Sequence, residues 1–214
     1  PVTAVRWNRL PSTQNENEND KGNGIDSITC STATGDFLTA KVAILTAPIS
    51  CVAAMQFDPP LPPLQQRAFS QGLGMGNVLK VILRFESQPW TQPWFYLYAL
   101  HAPFAHVWWD SAARRGIPST QSTVVSVTGY ATGAAADALE GLSPAALQRL
   151  FCRQLTEALG FDAQACCTGI RHKSWKDHPY ALGGYTYVQV GGGDSRRALQ
   201  QSWWKSHMAF AGEA

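Results

Sequence analysis

Residues 74–85 read GMGNVLKVILRF, and from Val78 to Phe85 the run is apolar except at Lys80 and Arg84. No other stretch of the chain carries as strong a strand signal. On an alternating reading Lys80 shares a face with Val78, Ile82 and Arg84. A lysine inside an apolar strand has two physical explanations. At a sheet edge it blunts pairing with other chains, which is the commoner reason. Facing a cavity, its ammonium orients a water or meets an electron-rich ring.

Outward from this strand the chain alternates short strand signals with one strong helix. PVTAVRW (1–7) reads as a strand. STQNENENDKGNG (12–24) is polar and low in complexity, as in a disordered loop. Residues 25–48 hold two or three strands with a turn at Thr34-Gly35-Asp36, and KVAILTAP (41–48) has the continuous apolar character of a fully buried strand. Pro62 and Pro63 sit where the first turn of a short helix tolerates them. Residues 95–112, 121–133, 168–175 and 183–190 read as further strands, and 196–214 as a short helix or turn before a last strand. SPAALQRLFCRQLTEALG (143–160) is a helix with Ser143 as N-cap, Pro144 at the first position and Gly160 as its stop. Antiparallel-looking strands around one long helix, bracketed by strand material, point to a domain inserted in a larger α/β fold.

The 214 residues carry a net charge of +2 and no basic stripe, which gives no electrostatic footprint for nucleic acid. No apolar run is long enough to span a membrane, and the first residues lack the form of a signal peptide. Both ends read as cut. Five cysteines without regular spacing argue against a disulfide framework, and ACCTG (165–169) is not a CxxC, so a reducing compartment such as cytoplasm or peroxisome is expected. His172, His178 and His207 show no metal spacing, and no metal is expected. GGGD (191–194) lacks the context of a phosphate loop. The eight tryptophans, several in close pairs, are dense enough to fill a core or line a flat apolar cavity. Trp175, Tyr180, Tyr185 and Tyr187 flank Gly183-Gly184, which reads either as a core strand or as an aromatic wall where glycine lets a planar ligand approach the backbone.

Five stretches, in order, resemble the C-terminal part of the flavin-containing amine oxidases, a family that includes polyamine and spermine oxidases and lysine-specific histone demethylases. They are PVTAVRW (1–7), AKVAILTAPISCVAAMQFDPPLPPLQQRAF (40–69), GMGNVLKVILRFESQPW (74–90), WKDHPYALGGYTYVQVGGGD (175–194) and FAGEA (210–214). The resemblance implies a partial FAD-binding Rossmann-like domain with an inserted mixed-sheet-plus-helix substrate domain. Residues 1–54 and 191–214 would belong to the FAD-binding domain and 55–190 to the substrate domain. Lys80 would be catalytic, holding a water near the flavin. Tyr185, with Tyr187, would contact the substrate amine. Val2, Trp175, Tyr180, Gly184, Tyr185, Gly212 and Glu213 would contact FAD. Gly184 stands where monoamine oxidases carry their tethering cysteine, so the FAD would be non-covalent. The partners implied are a small-molecule amine, O₂ and an upstream FAD-binding segment of the same protein carrying the GxGxxG fingerprint, which is absent here. The activity implied is polyamine-oxidase-like oxidation of an amine to an imine with release of H₂O₂. Two alternatives stand beside it: another flavin oxidoreductase on this scaffold, such as an L-amino-acid oxidase or desaturase, and a catalytically dead fragment.

Overall fold

The computed structural model describes residues 1–8, 26–91, 94–100, 102, 104–105, 107–110, 125–204 and 206–213. The expected loop at 12–24 lies outside them. Two compact units are present, one formed by Pro1–Met75 with Pro179–Ala214 and the other by Gly76–His178. The sequence reading draws its limits at 55 and 190; the compact units divide at 75/76 and 178/179, with the Pro-rich connection and the tyrosine strand in the same unit as the chain termini.

In the first unit β1 (Val2–Asn8) pairs antiparallel with β2 (Ser27–Thr32), which pairs with β3 (Phe37–Ala40). After β4 (Ala43–Leu45) and helix α1 (Ile49–Ala53), β5 (Gln56–Asp58) joins β1 in parallel. Helix α2 (Pro63–Arg67) starts on Pro62 and Pro63 as expected, and passes through a π-helical turn at Ala68–Gly72 into β6 (Leu73–Gly76).

The second unit is a sheet of five strands, antiparallel throughout, with helices on one face. Its strands are β7 (Val78–Phe85), β8 (Tyr96–Tyr98), β9 (Val107–Asp110), β10 (Val125–Thr132) and, beyond helices α3 (Gly133–Leu139), α4 (Pro144–Leu159) and α5 (Ala163–Cys166), β11 (Cys167–Ser174). Their spatial order is β11-β7-β10-β9-β8. The signals that define α4 act as read: the Ser143 hydroxyl accepts from Ala146 N at 3.2 Å, and Gly160 ends the helix at φ 75°. Leu147, Phe151, Cys152 and Leu155 of α4 join Leu79, Val81, Leu83 and Phe85 of β7 in one buried cluster with Trp90 and Trp108. These two of the eight tryptophans fill a core, as their density suggests.

The chain returns to the first unit with β12 (Tyr185–Val188), which pairs with β6, then helix α6 (Ser195–Leu199) and β13 (Met208–Phe210), which runs parallel to β4. Val5, Ile28, Val52, Met208, Trp203 and Trp204 form this unit's core. Two glycines permit a close backbone approach there: a Cβ on Gly192 would lie 2.1 Å from the Gly72 carbonyl oxygen.

Two expectations need correction. The run 41–48 is not a fully buried strand: only three residues are extended, Val42 is 55% and Ile44 63% exposed, and Leu45 alone is buried within β4. It pairs with the short β13, and Ile44, which alternates with the buried Leu45, faces outward. Nor is Lys80 an edge residue. β7 lies between β11 and β10, where no free backbone edge needs blunting.

Candidate functional site

With the edge explanation removed, Lys80 needs another. Alternation along β7 sends Leu79, Val81, Leu83 and Phe85 into the helix-covered core and turns Lys80, Ile82 and Arg84 to the other face. Register places Tyr130 and Lys173 directly opposite Lys80 on the two flanking strands. The half-buried ammonium lies 5.8 Å from the Trp109 ring centre and 5.7 Å from that of Tyr130. Each ring attracts the cation through its negative face, by about 0.5–1 kcal/mol at a solvent-accessible site. The ammonium is therefore held in place without a carboxylate in any contact described for it, and its N–H donors stay available to a ligand or water. Trp175 follows β11 in the same unit. Its backbone N–H donates to Val78 O at 3.0 Å, and Lys173 Nζ lies 6.0 Å from its ring. Unit two thus gathers Lys80 and Trp175 at one end of the β7–β11 pair.

The remaining expected site residues lie in unit one. Val2 and Tyr180 line one hollow of about 490 Å³ together with Ile44, Thr46, Cys51 and Met55. That volume falls within the range of small-molecule sites, and the lining is mainly apolar, as a planar aromatic ligand requires. Burial pushes the Cys51 thiol up, so it behaves here as an apolar group. The Ser50 hydroxyl donates to Ala181 O at 3.0 Å, fixing the Tyr180 segment against α1. Leu182 at φ 53° marks the bend that follows, a conformation that costs a side-chain-bearing residue about 1–2 kcal/mol. Gly184 is exposed and Tyr185 half-buried at the start of β12, while Tyr187 lies against Gly74, where an added Cβ would come within 2.5 Å of its ring. Gly212 takes φ 130°, with Thr46 O 3.6 Å from the Cβ it lacks. Glu213 does not project freely: its carboxylate accepts from Thr186 N at 2.9 and 3.2 Å and from Thr186 Oγ1 at 2.9 Å.

Thr186, Trp109, Tyr130 and Met55 went unread as site residues. Thr186 and Glu213 are 27 residues apart, and no local pattern joins them. The partners of Lys80 could have been found only by guessing strand order. Sequence reading also passed over a thiol pair in unit two. Cys152, fully buried on α4, interacts with Cys167 at the start of β11; this interaction lowers the Cys167 pKa to about 6, against the opposing effect of burial, and pushes that of Cys152 well up, while the Cys167 thiol donates to Gly169 O at 3.3 Å. Alkylation of Cys167 by iodoacetamide, followed by peptide mass spectrometry, should reach half its maximal rate near pH 6, against 9.0 for an ordinary thiol. A Cys167 profile centred near 9.0 would remove the shift. Among the described residues no cluster of three or more His, Cys, Asp or Glu could hold a metal, and no helix is long and apolar enough to cross a membrane.

The family model for flavin containing amine oxidoreductase matches residues 1–214. Polyamine oxidase 1 of Oryza sativa subsp. japonica is 29% identical over 153 residues, 65% of this chain and 30% of that protein. The fold is similar to that of cyclohexylamine oxidase from Brevibacterium oxydans IH-35A, with a TM-score of 0.75 at 19% identity over 99% of this chain and 42% of that one. Putrescine oxidase bound to putrescine gives the same TM-score of 0.75, at 19% identity and the same coverage. The chain thus spans less than half the length of these relatives. From the whole-length family match, the chain belongs to the flavin containing amine oxidoreductases.

Proposed function

We propose that the full-length protein is an FAD-dependent amine oxidase of polyamine-oxidase type, in which this chain supplies the substrate-facing lysine and part of the cofactor's cradle. The observation that carries the reading is the position of Lys80: interior to the sheet, turned away from the core, its ammonium over Trp109 and Tyr130. The residues of unit one fit a flavin. The hollow between Val2 and Tyr180 is apolar and of suitable volume, and the Glu213 carboxylate is fixed on one side and exposed on the other. Gly184 has no sulfur to bond the ring, so the FAD is held non-covalently.

Bound FAD supplies the redox chemistry, taking a hydride equivalent from the carbon beside the amine nitrogen and passing electrons to O₂ to give H₂O₂. The chain's own residues do the rest. Lys80 holds a water by its N–H donors. Tyr185, with Tyr187, gives the amine an aromatic wall, which favours the neutral form and also accommodates a cation. In unit one Val2, Tyr180 and Gly212 pack around the cofactor and exclude water, and in unit two Trp175 supplies a further ring. The substrate is a small-molecule amine, in keeping with the polyamine, cyclohexylamine and putrescine oxidases named above.

Arg84 favours a second reading. It shares Lys80's face of β7 and is exposed, as an arginine recruited to a substrate carboxylate would be in an amino-acid oxidase. Assays of the full-length protein with spermine, N-acetylspermine and an L-amino acid separate the two. Peroxide released with the polyamines alone supports the first reading, and with the amino acid alone the second.

A further inference from the structure

Thr186 stands between the two tyrosines of β12 and is buried, 7% exposed, while Tyr185 is half-buried and Tyr187 exposed. Strand alternation puts the threonine on one face and both rings on the other. Its backbone N–H is shared between the two carboxylate oxygens of Glu213, and its hydroxyl donates to one of them. A carboxylate offers about four acceptor positions. Here three contacts come from a single residue on one side, and the other side of Glu213 is exposed. Charge-assisted bonds of this kind are stronger than neutral ones, so the carboxylate is aimed rather than merely present. An aimed carboxylate with an open side suits a ligand rich in hydroxyl donors.

We propose that Thr186 is a positioning residue that locks the Glu213 carboxylate to accept from the polyhydroxylated chain of the flavin, and thereby ties the cofactor's grip to the strand that carries Tyr185. Glu213's role toward FAD rests on the amine-oxidase reading; the lock itself is a feature of this chain. Thr186 touches neither substrate nor cofactor. Loss of its hydroxyl leaves the backbone donor in place but removes one of the two bonds that Oε1 accepts, so the carboxylate is held less firmly.

The test uses the full-length protein stripped of FAD and titrated with FAD, following the quench of flavin fluorescence. Thr186→Val should weaken FAD binding about 10-fold, the effect of one hydrogen bond to a charged group, and Thr186→Ser should restore it to within about 2-fold. In Glu213→Ala no acceptor is left for Thr186, so adding Thr186→Val should cost nothing further. A purely structural threonine would lower affinity equally in both backgrounds. Should Thr186→Val not fold, Glu213→Asp withdraws the carboxylate from Thr186 without emptying a buried position and should also weaken FAD about 10-fold. Wild-type affinity in Thr186→Val or in Glu213→Asp, or losses that multiply in the double variant, overturns the proposal. A wild-type protein that binds no FAD is a separate result, and removes the amine-oxidase reading together with this one.

Discussion

Lys80→Met in the full-length protein should slow amine-dependent turnover of the bound flavin on the order of 10²-fold or more, the scale of losing a positioned proton-handling group. Methionine nearly matches the lysine stem in length and has no N–H donors, so strand β7 and its packing on the core face are retained. Only the ammonium above Trp109 and Tyr130 is lost. The fall should be seen in stopped-flow traces at the flavin band, in the reductive or the oxidative half-reaction, with FAD content unchanged. Turnover within about 2-fold of wild type would take Lys80 out of the mechanism.

Phe151→Ala should destabilise the second unit by about 3–5 kcal/mol. Phe151 is fully buried on α4, and its ring meets Trp108 edge-on with centres 5.5 Å apart. Gly129 on β10 is shaped around it: a Cβ there would lie 2.8 Å from the phenylalanine ring and 3.1 Å from Trp108. Truncating Phe151 therefore leaves a void that the sheet cannot close, because β10 is held by both β7 and β9. Urea denaturation followed by tryptophan fluorescence reads the change. A loss below about 1 kcal/mol would mean that α4 repacks freely on the sheet.

Local physics made part of this fold legible. Val78–Phe85 and Ser143–Gly160 were readable because alternation in one case and caps with helical spacing in the other act within a few residues. Lys80's interior place was not, because strand order depends on pairings with residues 125–132 and 167–174 far along the chain. The run 41–48 misled for a related reason: apolar content gives burial only where other layers of the fold cover a strand's faces, and within β4 only Leu45 is buried. Helices α1 and α3 went unread, although the alanine run after Gly133 carried the propensity for the second. Of the expected site residues, Val2 and Tyr180 meet in one hollow and Lys80 and Trp175 in one unit, whereas the Thr186–Glu213 clamp was visible only in three dimensions.

Anaerobic titration of the full-length, FAD-loaded protein with a series of amines, recorded at the flavin absorbance near 450 nm, tests the central claim most directly. Stoichiometric bleaching by at least one amine, reversed on admitting O₂ with release of H₂O₂, is the predicted result. A protein that takes up no FAD, or whose FAD no amine bleaches, would contradict it.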